Sequence, residues 1–200
     1  MVYVATRFAF ALEADESICD RIVRCCTLAL ADGPMGQHQR SDFYADFIAC
    51  NAEPDLQHAR TLAIVKTSCA LFVRAVRAWC GAPPGHGYKI GSGMFSSLGG
   101  VTLTAPQFIA ATATNSPKPG DYFYIHTEGK NDDHTGFFIE ETEPGVWKTA
   151  EGGGGDGTLC KFGSRTLANG RFKNEPRALR GWFDCERVGL PASPCSSADG

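Results

Sequence analysis

The sequence predicts an α+β domain in which helices come first and an antiparallel sheet follows. Three observations predict it. Up to about residue 80, apolar residues recur at helical spacings of three and four. After Pro117 the pattern changes to short extended runs rich in Tyr, Phe, Ile and Val. Tight polar or Pro/Gly turns join those runs, which favours a meander over parallel crossovers.

The elements follow in order. The opening residues read as a first strand or the approach to a helix, with one Arg and then acids in place of a signal peptide's cleavage site. Glu13–Ala31 predicts an amphipathic helix, because Ile18, Ile22, Cys25, Cys26 and Ala29 share one face and acids lie at its front. Gly33, Pro34 and Gly36 break the chain. A second short helix is predicted from Ser41, as N-cap, to Cys50, and residues 51–60 read as a polar connection or helical turn. A third helix runs from about Ser68 to Cys80 and is stopped by Gly81, Pro83 and Pro84. From Gly91 to Asn115 small residues predict irregular or short helical structure. Asp121–Thr127, Thr135–Glu141 and Val146–Ala150 predict strands, and Thr158–Arg165 and Leu179–Cys185 predict two weaker ones. Residues 1–190 therefore form one domain with its core at about 61–185, and 191–200 form a small, polar, frayed tail.

Composition narrows the function classes. The chain has 200 residues, 43% hydrophobic and 20% charged, with a net charge of −3. An acidic balance argues against a nucleic-acid binder, which presents a basic face. No run approaches the roughly 20 apolar residues that span a bilayer, so no membrane partner is expected. The nine cysteines are odd in number, two of them adjacent, and most lie in apolar segments. They predict unpaired thiols from a reducing compartment, with Cys185–Cys195 as the alternative pairing. No Cys-x-x-Cys pair exists and the five histidines are scattered, so neither a zinc site nor any other metal or cofactor is expected.

One constellation carries chemistry. A cysteine hydrolase needs a thiolate, an imidazole to hold its proton, and a third polar group to orient that imidazole. A helix N-terminus favours the thiolate and offers free amides to an oxyanion. Cys69 alone among the cysteines is predicted in such a first turn. His134 opens a predicted strand after a tight turn, so a rigid element would hold its ring. Glu151 closes the next strand, and adjacent antiparallel strands bring the start of one beside the end of the other. Asp132, Asp133 and Asp156 are the alternative orienting carboxylates. Gly152–Gly155 reads as a flexible substrate-lining loop, since no phosphate-binding motif surrounds it.

The segments TSCALFVRAV, KPGDYFYI, DDHTGFFIEE and VWKTAEGGGGDG resemble successive core blocks of the CHAP and NlpC/P60 families. In those families a Cys-bearing helix precedes a PGD turn, here Pro119–Gly120–Asp121. An H-x-G strand follows, here His134, Gly136 and Phe137, and then a strand ending in E-G, here Glu151–Gly152. The resemblance spans roughly Thr67 to Gly157. It departs from the families at Gly153, where CHAP domains often carry Asn, and in having no Gln counterpart ahead of Cys69.

The resemblance implies a papain-like fold with the nucleophile helix packed on an antiparallel sheet. It implies a cysteine peptidase or amidase that cleaves amide bonds in peptidoglycan peptides, as endopeptidase or N-acetylmuramoyl-L-alanine amidase. Cys69, His134 and Glu151 would be catalytic, and Ser68, Gly152, Gly153 and Asp156 would line the substrate. Synthesis in the cytoplasm without a classical signal peptide would then require release by lysis, as for a phage lysin, or injection, as for an antibacterial effector with a neutralising immunity protein. The alternatives are a cytoplasmic thiol protease, deamidase or acyltransferase acting on a protein, and a non-catalytic binding module.

Overall fold

The computed structural model describes residues 8–49, 61, 69–81, 108–127, 133–154 and 159–186. The expectations for Ser68, Asp132, Asp156, residues 51–60 and the 191–200 tail lie outside them. The chain is α+β. Helix α1 spans Ile18–Ala29, later than expected, because the Ser17 hydroxyl caps it by accepting from the Asp20 amide at 3.1 Å. Helix α2 spans Ser41–Ala49, so Ser41 is its first residue, and α3 spans Cys69–Trp79. Among the described residues no helix is long and apolar enough to cross a membrane.

The strands are β1 (Met35–Gly36), β2 (Phe108–Ala110), β3 (Tyr122–His126), β4 (His134–Glu143), β5 (Val146–Gly154), β6 (Leu159–Ala168), β7 (Arg171–Phe172) and β8 (Ala178–Phe183). They form one antiparallel sheet ordered β1-β6-β5-β4-β3-β8-β2, with β7 paired to β6. The meander expected from the short turns is β3 to β6. Two expectations are corrected. Phe108–Ala110, inside the stretch expected to be irregular or helical, is strand because it pairs with β8. Gly152 and Gly153, expected in a flexible loop, belong to β5, which stays paired to β6 through Gly154 opposite Leu159.

Alternation along β4 explains its continuous apolar run. Phe137 and Ile139 face the helices, packing with Ile22, Cys26, Phe72 and Val76. Phe138 points to the opposite face, where Phe123, Trp147, Phe172 and Trp182 bury it. With both faces covered, each fully buried aromatic or aliphatic side chain contributes about 1.5–3 kcal/mol. Phe72 of α3 meets Phe137 edge to face, with centroids 6.3 Å apart, and this contact seats α3 on the sheet.

The Pro119–Gly120–Asp121 turn ties α1 to the sheet. Gly120 has φ +91°, and a Cβ there would lie 2.7 Å from the Cys19 Cα, so only glycine allows the approach. The buried Asp121 carboxylate accepts from the Lys118 amide at 2.9 Å and the Cys185 amide at 3.1 Å. Burial pushes its carboxyl up to about 6, against the pull of those two amides. Beside it Cys19 and Cys185 form a disulfide. This corrects the expectation of unpaired thiols for those two residues, and Cys185 pairs with Cys19 where Cys195 was the expected alternative. Their sequence separation of 166 residues hid the pairing.

Candidate active site

Cys69 is the first residue of α3 and half-buried, whereas the other free cysteines among the described residues, Cys25, Cys26, Cys80 and Cys160, are buried. Burial pushes the Cys25, Cys26 and Cys160 thiols well up, which makes them inert. The Cys69 Sγ lies 4.0 Å from the Asp133 carbonyl oxygen, which places it beside His134, the next residue along, and the thiol is one of the groups that raise that imidazole.

His134 opens β4 and is buried. Its Nε2 lies 2.7 Å from Glu151 Oε2, which leaves Nδ1 as the ring nitrogen for the sulfur. The strand register sets this up. Glu151 stands opposite Gly136, two residues beyond His134, so the carboxylate must lean diagonally across the pair. A Cβ at Gly136 would lie 2.7 Å from the Glu151 Cγ, so the missing side chain makes the room. That is the physical content of the H-x-G spacing.

Four hydrogen bonds hold the Glu151 carboxylate. Oε1 accepts from the Thr149 hydroxyl at 2.5 Å and from Arg165 Nε at 2.7 Å. Oε2 takes the His134 ring and Arg165 Nη2 at 2.7 Å. Arg165 therefore grips the carboxylate with the two-pronged geometry that suits a guanidinium. Its third nitrogen, Nη1, reaches Glu175 Oε2 at 3.0 Å, and Arg177 Nε reaches Glu175 Oε1 at 2.7 Å. A chain of alternating charge runs from Cys69 through His134, Glu151, Arg165 and Glu175 to Arg177.

The charges set the protonation states. For Glu151, burial pushes the carboxyl up, but the hydrogen bonds from His134 and Arg165 outweigh it and hold the group well below the usual carboxylate range. For His134, burial pushes the imidazole down, but hydrogen bonds to Cys69 and Glu151 outweigh it and raise the group to about 9. Arg177 holds the Glu175 carboxyl down at about 2, with Arg165 helping. Glu151 thus stays ionised and saturated. It orients the ring and stabilises its cation without taking the proton.

The structure thus brings together Cys69, His134 and Glu151. Asp133, weighed as an alternative orienting group, turns its carboxylate to His126 Nδ1 at 2.5 Å and to the Tyr124 hydroxyl at 2.9 Å. Gly152 is buried, and Gly153 lines a cleft of about 430 Å³ beside His134 and Glu151. Sequence reasoning missed Thr149, Arg165, Glu175 and Arg177. Thr149 carried a signal, since it lies at an even strand offset from Glu151 and so shares its face, whereas Arg165 shares that face through the β5–β6 register that sets Lys161 opposite Glu151. One possible metal-ligand group exists among the described residues, Cys19, Asp121 and Cys185, but its two sulfurs are bonded to each other.

No family model, no curated protein and no solved structure matches the chain.

Proposed function

We propose that the chain is a papain-like cysteine hydrolase of the CHAP or NlpC/P60 kind, acting on amide bonds in peptidoglycan peptides. The observation that carries the hydrolase reading is the His134 ring, 2.7 Å from the Glu151 carboxylate and next in the chain to Asp133, whose carbonyl oxygen lies 4.0 Å from the Cys69 sulfur. The CHAP and NlpC/P60 motif order, Cys on a helix, PGD turn, H-x-G strand and E-G strand, supplies the substrate class.

In this reading Cys69 passes its proton to His134 and attacks the scissile carbonyl carbon. The amides of the first turn of α3 face the oxyanion that develops. His134 then protonates the leaving amine as the C–N bond breaks, which leaves an acyl group on sulfur. Water attacks that thioester while His134 removes its proton, and the acid is released with the thiol restored. The saturated Glu151 keeps the imidazole in one orientation through both halves.

The Cys19–Cys185 disulfide supports a site of action outside the reducing cytoplasm, in the periplasm or beyond the cell. Delivery by lysis or injection would bring the protein there. An injected effector would require an immunity protein in the producing cell.

Digestion of purified peptidoglycan by wild type and Cys69→Ala tests the reading, with released fragments weighed by mass spectrometry. Wild type alone should release fragments, whose masses name the scissile bond. Release by neither protein removes the cell wall as substrate, and equal release by both removes Cys69 as nucleophile.

A further inference from the structure

The cleft beside His134 and Glu151 has a charge that the chain as a whole lacks. The protein carries a net charge of −3, yet among the described residues Lys161, Arg165 and Arg177 line this cleft against one carboxylate, Glu151. Two of these cations are committed. Arg165 is bonded to Glu151 and Glu175, and Arg177 holds Glu175 at 2.7 and 3.0 Å. Lys161 is different. It stands opposite Glu151 in the β5–β6 register, on the same face, and has no ion-pair partner among the described residues. Counting Glu175 as well, three cations face two carboxylates among the described residues, and Lys161 is the one left outside their ion pairs.

The volume, about 430 Å³, suits a group the size of an amino acid. Its wall includes the catalytic imidazole, so a group seated there belongs to the molecule being cleaved. We infer that this cleft binds a carboxylate of the substrate, close to the scissile amide, with Lys161 as its counter-ion. The inference rests on the cysteine-hydrolase reading and adds a charge requirement to it. Substrates whose neighbouring carboxylate is amidated are poor ones.

Two affinity labels test this on the intact protein: N-bromoacetyl-glutamate and its uncharged diamide. Both alkylate Cys69 in the same way, the sulfur forming a C–S bond as the C–Br bond breaks and bromide leaves. The quantity read is the ratio of their rates at Cys69, followed by peptide mass mapping. Wild type should favour the anionic label by about tenfold or more, since a unit charge a few ångströms away is worth that at an effective dielectric near 20. In Lys161→Gln the ratio should fall at least threefold, and in Lys161→Arg it should persist. Using a ratio makes the result independent of any general loss of Cys69 reactivity. Equal rates in wild type, or a ratio unchanged in Lys161→Gln, overturn the anion site while leaving the nucleophile intact. Failure of both labels to modify Cys69 overturns the hydrolase reading, and the anion site falls with it.

Discussion

His134 Nε2 and Glu151 Oε2 stand 2.7 Å apart on neighbouring strands, 17 residues apart in the chain, and the carboxylate that closes this contact is also gripped by Arg165. The arrangement fixes the imidazole by a partner that is itself immobile. Several expected outcomes follow from it.

The first concerns pH. His134 is raised from 6.5 to about 9 in the folded protein. Its folded value lies above its unfolded one, so the stabilisation is fully present below about 6.5 and is lost as pH rises through about 9. Hydrolysis should fall over the same upper limb, because the leaving amine then finds no proton on the ring. In Glu151→Gln that limb should move to lower pH. A pH–rate profile of wild type and Glu151→Gln checks this, and an unmoved limb would separate Glu151 from the ring.

Gly136→Ala should damage activity beyond its cost to the fold. The new methyl would lie 2.7 Å from the Glu151 Cγ and 2.8 Å from the Ala150 carbonyl oxygen. Overpacking of this kind costs about 1–3 kcal/mol. Displacing the carboxylate should lower kcat by a further factor of about ten or more, within the range for a misaligned acid–base group. Denaturant unfolding and kinetics on the same sample distinguish the two effects.

Arg165→Met leaves Glu151 and Glu175 without the cation they share. Removing one partner of a buried ion pair costs about 3–5 kcal/mol. Arg165→Lys keeps the charge and loses the fork, so its stability should lie between wild type and Arg165→Met. Urea midpoints for the three proteins check the order.

The legibility of the site follows from how local each feature is. The three helices, the β3 to β6 meander, and Cys69, His134 and Glu151 could be read because each rests on periodicity or on one turn. Arg165 could not be read in this way. Its role depends on β6 lying beside β5 with Ser164 opposite Lys148 and Arg165 opposite Trp147, a register that the weak alternation of Leu159–Ala168 does not announce. Glu175 and Arg177 lie further still, beyond β7, and among the described residues Glu175 joins them to the network through Arg165. The Cys19–Cys185 pair was hidden for a similar reason, since nothing near either residue marks the other across 166 positions. Gly152 and Gly153 misled because a glycine run reads as a loop when its strand partner is not in view.

The disulfide itself should be worth a large share of the stability. Replacing Cys19 and Cys185 together by Ser should cost about 2–5 kcal/mol, the usual range for a native bridge in a domain of modest size. Reduction of wild type with dithiothreitol should lower Tm to that of the double variant. A double variant as stable as the oxidised protein would show that the bridge contributes nothing.

The most direct test of the central pairing is the rate at which iodoacetamide alkylates Cys69 at pH 6, in wild type and in His134→Ala. If His134 takes the thiol proton, wild type should react about tenfold faster or more, with the label on Cys69 and none on the buried cysteines. Equal rates in the two proteins would contradict the account, because exposure alone would then explain the reactivity of Cys69.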